Sequence, residues 1–186
     1  MNKLLKILVA PVLLLSCVCK NKTTGDTTIT QDIVMYTVIG KAEIVGVSCD
    51  GARPTQEMME QITQPKPLAK TTFYIRQDSV NDLSKPIYKE FTTDSLGNFS
   101  IQLPAGKYSI VNAEKKNSDF VNALKKTYAK ETETYSAIDL NCVKVWVKTP
   151  DAILNVNGEV KNFTLTYSDH CSWHVHCVAY KGPYPP

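Results

Sequence analysis

The stretch Thr93-Asp94-Ser95-Leu96-Gly97-Asn98-Phe99-Ser100-Ile101-Gln102-Leu103-Pro104-Ala105-Gly106-Lys107-Tyr108-Ser109-Ile110 decides how this chain is to be read. Asp94-Ser95-Leu96-Gly97 is a turn, with Gly97 free to take a backbone conformation that side chains resist. From Phe99 to Leu103 apolar and polar residues alternate, the period of a half-buried strand whose Phe99 and Leu103 face a core. Pro104-Ala105-Gly106 then reverses the chain into Lys107–Val111, and Tyr108 packs back on the same core. This is β architecture written at short range.

The signal extends in both directions. Val34 to Val47 is rich in Val, Ile, Tyr and Thr and suits a first strand, interrupted near Gly40 and Gly46. Thr71–Gln77 and Tyr88–Thr93 read as strands, and Thr55 is placed to cap a short helix reaching Ile62. Between Ser118 and Thr132 the period changes: Phe120, Val121, Leu124 and Tyr128 recur at helical spacing, and lysines gather toward the end, as the helix dipole favours. That helix is expected to pack on the sheet. Val143, Val145 and Val147 alternate with Lys144, Trp146 and Lys148, which predicts a strand over Cys142–Lys148. Asn157-Gly158 is a type I′ turn signal, predicting a hairpin of Ala152–Val156 with Val160–Tyr167. Ser172–Tyr180 reads as the last strand. The expected fold is mainly β, a sandwich of about seven to nine strands with one amphipathic helix at about 118–132.

The Thr93–Ile110 stretch resembles the signature of carboxypeptidase regulatory-like domains, which are prealbumin-like (transthyretin-like) sandwiches. The match is strong over that stretch and looser over Gly40–Val111. It implies a prealbumin-like β-sandwich and brings no peptidase residues with it, because fold does not carry activity. The long Gly46–Leu68 segment and the helix after Val111 depart from the minimal pattern, marking an elaborated version.

The chain opens with Lys3 and Lys6 before an apolar run, Ile7 to Leu15, too short to span a bilayer, which takes about 20 residues. Leu14-Leu15-Ser16-Cys17 resembles the lipobox of bacterial lipoproteins, in which the cysteine is lipidated and becomes the new N-terminus. The expected organisation is a signal peptide over 1–16, a lipidated Cys17 with a polar tether to 33, the sandwich over 34–182 and a Pro-rich tail over 183–186. The expected address is the bacterial envelope, favouring the outer membrane, with the membrane itself a partner through the lipid anchor.

Without Lys3 and Lys6 the formal charge of +3 falls to +1, and no basic run has the density that nucleic acid requires. Nucleic acid is set aside. The domain beyond the leader and tether holds Cys49, Cys142, Cys171 and Cys177, an even set that reads as two disulfides in an oxidising compartment. Three pairings are open. A straight Cys171–Cys177 strand would hold its ends about 20 Å apart, too far for a bridge, so that segment either turns or sends both cysteines elsewhere.

All the histidines lie in His170-Cys171-Ser172-Trp173-His174-Val175-His176-Cys177. On a strand His174 and His176 share a face about 7 Å apart, a spacing at which two imidazoles can meet one zinc or copper ion. His170 joins them only if the chain bends. Solvent-facing histidines on a disulfide-pinned strand are the alternative. Asp50 and Arg53, in a loop shaped by Gly51 and Pro54, are a second candidate for recognising a polar partner. No nucleophile elbow, zincin helix or phosphate-binding loop is present in the sequence. The expectation is a non-catalytic binding or structural module with no cofactor, meeting a protein or glycan of the envelope. A zinc- or copper-binding protein using His170, His174 and His176 is the rival.

Overall fold

The computed structural model describes residues 33–49 and 53–183; Cys17, Asp50 and Tyr184 lie outside them. Eight strands form two four-stranded sheets. In the first, β1 (Met35–Val45) pairs antiparallel with β5 (Asn98–Pro104) and, further along the same edge, with the two-residue β2 (Lys66–Pro67). Along its other edge runs β8 (Val160–Ser168), parallel to it. The second sheet is antiparallel throughout, ordered β4 (Lys89–Thr92), β3 (Thr72–Gln77), β6 (Gly106–Val111), β7 (Ala152–Val156).

The two sheets bury their alternating faces against each other. Val38, Ala42, Ile101, Leu103 and Leu165 from the first meet Phe73, Ile75, Ile110, Leu154 and Val156 from the second, none more than 5 % exposed. Each large side chain so buried contributes roughly 1.5–3 kcal/mol. The fold is therefore the mainly β sandwich expected from the alternation.

The Thr93–Ile110 stretch is built as its residues dictate. The Asp94 carboxylate accepts hydrogen bonds from the backbone of Leu96 and Asn98, each at 2.8 Å. Gly97 has φ +78°, and a Cβ there would sit 2.5 Å from the Ala42 carbonyl, so the turn docks directly on β1. The Tyr108 hydroxyl donates to the Pro104 carbonyl at 2.9 Å, closing the second turn.

Other expectations are corrected. The first strand runs unbroken through Gly40. The glycine is needed for space, since a Cβ would lie 2.5 Å from both the Phe163 carbonyl and the Phe99 ring. The irregularity sits across the ladder: between Val38↔Val160 and Gly40↔Phe163, β8 carries one extra residue, and Asn162 takes φ +64° there, a β-bulge. The chain bends at Asn157-Gly158, but neither residue takes the positive φ that a type I′ turn requires, and β7 pairs with β6 and β8 with β1, so the connection passes between sheets instead of closing a hairpin. The Glu159 side chain accepts from the Thr37 backbone at 3.1 Å, tying the start of β8 to β1.

One α-helix was not expected, the third of those among the described residues. Thr55 caps α1 (Gln56–Ile62) as anticipated, through the Met58 N–H. The amphipathic helix α2 is shorter than its periodic stretch, Asp119–Thr127, with Lys125 and Lys126 in its last turn. The alternating valines form a helix, α3 (Leu140–Lys148), not a strand; Asp139 caps it, accepting from the N–H groups of Asn141 and Cys142. Val143 and Val147 fit both periods, because four residues is two strand repeats and about one helical turn. Val145 discriminates: it is 67 % exposed, where a strand would have buried it with its neighbours. Val121 of α2 joins Val143 and Val147 in a cluster of its own, separate from the sandwich core, so α2 packs on α3 and not on the sheet as expected. Among the described residues no helix is long and apolar enough to cross a membrane.

Candidate functional site

The segment after β8 decides what the histidines can do. It forms no continuous strand. His174 N–H donates to the Cys171 carbonyl at 2.8 Å and Val178 N–H to the Val175 carbonyl at 3.2 Å, two successive reversals, with Cys177 at φ +62°. The predicted Ser172–Tyr180 strand is corrected accordingly. Two covalent links hold these turns. Cys171 is bonded to Cys49, just beyond β1, and Cys177 to Cys142 on α3, so both cysteines reach out of the segment and do not pair with each other.

The bends bring His170 to its partners. One nitrogen from each of His170, His174 and His176 lies within 4.8 Å of the other two. The His170 and His174 rings stack at 4.7 Å, and His176 stands edge-on to both, at 5.1 and 5.2 Å. His170 and His174 are exposed and His176 is half-buried. Burial, then the neighbouring imidazoles, lowers the pKa of His174 below the ordinary histidine value.

His176 is fixed on its far side by two groups. Its Nε2 lies 3.4 Å from Glu114, and its ring stacks on Trp146 of α3 at 4.5 Å. The His176 contact holds the Glu114 carboxyl below its usual range despite the opposing effect of partial burial. Glu114 belongs to a short 3-10 turn, Ala113–Lys115, capped by Asn112. Lys115 of that turn is buried, with Nζ 2.6 Å from Asp151, 3.0 Å from the Thr149 carbonyl and 5.3 Å from the centre of the Trp146 ring. The second Asp151 oxygen accepts from the Tyr167 hydroxyl and from the Asn112 N–H, both at 2.7 Å. Burial first, and the Asp151 charge second, push the Tyr167 phenol well above its ordinary value, so that hydroxyl stays a donor.

These groups surround a cleft of about 390 Å³ between the edge of the first sheet and the helical end. Ile44, Phe73, Trp146 and Tyr167 give it apolar walls; Glu114 and His176 line its polar side. A cleft of this size and lining suits binding of a small group or side chain. Its lysine, carboxylate and phenol are paired among themselves, an arrangement that builds a fixed wall and presents no activated nucleophile.

The remaining sequence candidates fall elsewhere. Arg53 is exposed. Asp50 and Cys17 lie outside the described residues, as does Tyr184 of the tail. Tyr180, just before the tail, packs between Tyr135, at 5.4 Å, and Trp173, at 5.2 Å. Sequence reasoning missed Glu114, Lys115, Trp146, Asp151 and Tyr167. Trp146 alone carried a signal, the apolar face of a helix misread as a strand; Lys115 and Asp151, 36 residues apart, carried none.

No protein-family model matches the chain, and no curated protein is similar to it. Among solved structures it is similar to a DUF3823 family protein from Parabacteroides merdae ATCC 43184, with TM-score 0.35 and 14 % identity over 73 % of this chain and 46 % of that one. It is also similar to the shaft pilin SpaA from Lactobacillus rhamnosus GG, with TM-score 0.37 and 12 % identity over 73 % of this chain and 49 % of the pilin. The chain thus spans about half the length of each. Against the isolated N-terminal domain of the same pilin the TM-score is 0.37 and the identity 12 %, over 76 % of this chain and 99 % of the domain.

Proposed function

We propose that this chain is an exported envelope lipoprotein, anchored through Cys17, whose sandwich is a non-catalytic binding module of the prealbumin-like, carboxypeptidase regulatory-like kind. The cleft beside Trp146 and Tyr167 is its recognition site, and a protein or glycan of the envelope is its ligand. The observation that carries this reading is the cleft itself: apolar walls with polar groups on one side, stiffened by a buried ion pair and flanked by two disulfides. Such a site binds by preorganised shape. The lipobox-like Leu14-Leu15-Ser16-Cys17 supports the anchor, and both bridges support an oxidising compartment. The Asp94–Tyr108 turns, formed as that motif implies, support the fold family.

Two measurements test it. Cys17→Ser should release the protein from the membrane fraction or leave it unprocessed, while Cys19→Ser, at a cysteine preceded by Val18 where a lipobox wants a small residue, changes nothing; a membrane-bound, processed Cys17→Ser protein contradicts the anchor. A photoreactive residue replacing Thr166, at the cleft, should cross-link one envelope component in cells, and the same residue replacing Gln102, on the distant β5, should not. Cross-linking from both positions, or from neither, contradicts recognition at the cleft.

A further inference from the structure

We propose that His170, His174 and His176 form a three-imidazole site for one divalent transition-metal ion, zinc or copper, at the mouth of the cleft. The proposal goes beyond the binding-module reading and stands without it. Three features carry it. Three ring nitrogens already lie within 4.8 Å of one another, although their residues span seven positions of a chain that would hold the first and last about 20 Å apart if extended. Metal–nitrogen bonds of about 2.0–2.1 Å need the nitrogens somewhat closer still, and two of the three rings are exposed, free to close that gap by rotation. The segment is pinned at both ends of the trio, by Cys171 between His170 and His174 and by Cys177 next to His176, so little ordering remains for the metal to impose.

The surroundings fit a metal centre as well as the trio does. A histidine ligand ordinarily offers its second nitrogen to a carboxylate, which fixes the ring; Glu114 lies 3.4 Å from His176 Nε2, a contact that would assign Nδ1 to the ion, and Trp146 stacks on the same ring. The neighbouring sulfurs are locked in disulfides, leaving an all-nitrogen donor set. Imidazoles suit zinc and copper, whereas magnesium and calcium take oxygen ligands. Three protein ligands leave an open coordination position. His170 and His176 also line the cleft, so the ion would sit beside it.

The test uses the full chain, tag-free, with both disulfides intact. Titration with zinc and copper salts in turn should give one equivalent bound per chain, and magnesium none. The copper form should show spin-resonance coupling to three nitrogens. His170→Gln and His174→Gln, at exposed rings whose ring contacts are with each other and with His176, should each weaken binding by more than the roughly 10–100-fold that loss of an outer-shell partner costs, with thermal unfolding of the metal-free protein little changed. Substoichiometric binding, or coupling to fewer than three nitrogens, or affinity that survives the His170→Gln His174→Gln pair, overturns the proposal.

Discussion

The Asp94–Tyr108 stretch and the Cys171–Cys177 stretch make an instructive pair. Both turn twice within a short length, yet they are held differently. In the first, each turn is closed by its own residues: Asp94 binds the N–H groups two and four positions on, Gly97 takes the left-handed conformation, and Tyr108 reaches back to Pro104. In the second, the turns are held from outside, by Cys49 across 122 residues and Cys142 across 35, with Trp146 and Glu114 bracing His176. One is encoded where it lies. The other is assembled from remote parts once the sandwich exists.

That difference can be broken or sharpened by substitution. Leu103→Ala, at a fully buried position in the core beneath the first stretch, should lower stability by about 2–5 kcal/mol, read from the midpoint of urea unfolding with an unchanged slope. Hydrogen exchange should quicken across both sheets together. A loss of protection confined to one sheet would mean that the sandwich is not the single cooperative unit described.

Removing the Cys142–Cys177 bridge with paired serine substitutions should cost about 2–4 kcal/mol by freeing the unfolded chain, and its local signature should differ. Exchange should quicken over residues 170–180 and in α3, while β1, β3 and β6 keep their protection. Uniform loss across the sheets would erase the distinction between the two stretches.

The smallest effect is one of pH. Hydrogen bonds from the Asn98 backbone and side chain and from Leu96 hold the Asp94 carboxyl below its ordinary range. A group depressed in the folded state adds stability above its unfolded value, near about 3.9 for aspartate, and that contribution fades as pH falls through the folded value. Asp94→Asn should therefore flatten part of the acid side of the stability curve below about pH 4 and leave the neutral side less stable. An unaltered acid slope would remove Asp94 from the account of the turn.

The same contrast explains what could be read in the sequence. Strands β3 to β6 follow from alternation and turn residues because both are properties of neighbours in the chain. The valines at 143 and 147 satisfied two periods at once, and only the exposure of Val145, a tertiary fact, separates helix from strand. Asn157-Gly158 marked a break between two strands but could not say which sheet would receive each. The histidine trio was visible as composition. Its geometry was not, because it depends on which cysteines pair, and spacing alone leaves three pairings open.

Disulfide pairing is thus the point on which the helical end, the cleft mouth and the histidine trio all rest. The direct measurement is peptide mapping of the unreduced protein by mass spectrometry. It should recover Cys49 linked to Cys171 and Cys142 linked to Cys177. A peptide in which Cys171 is joined to Cys177 would contradict the arrangement, since the segment would then close on itself and no bridge would tie it to α3 and hold His176 against Trp146 and Glu114.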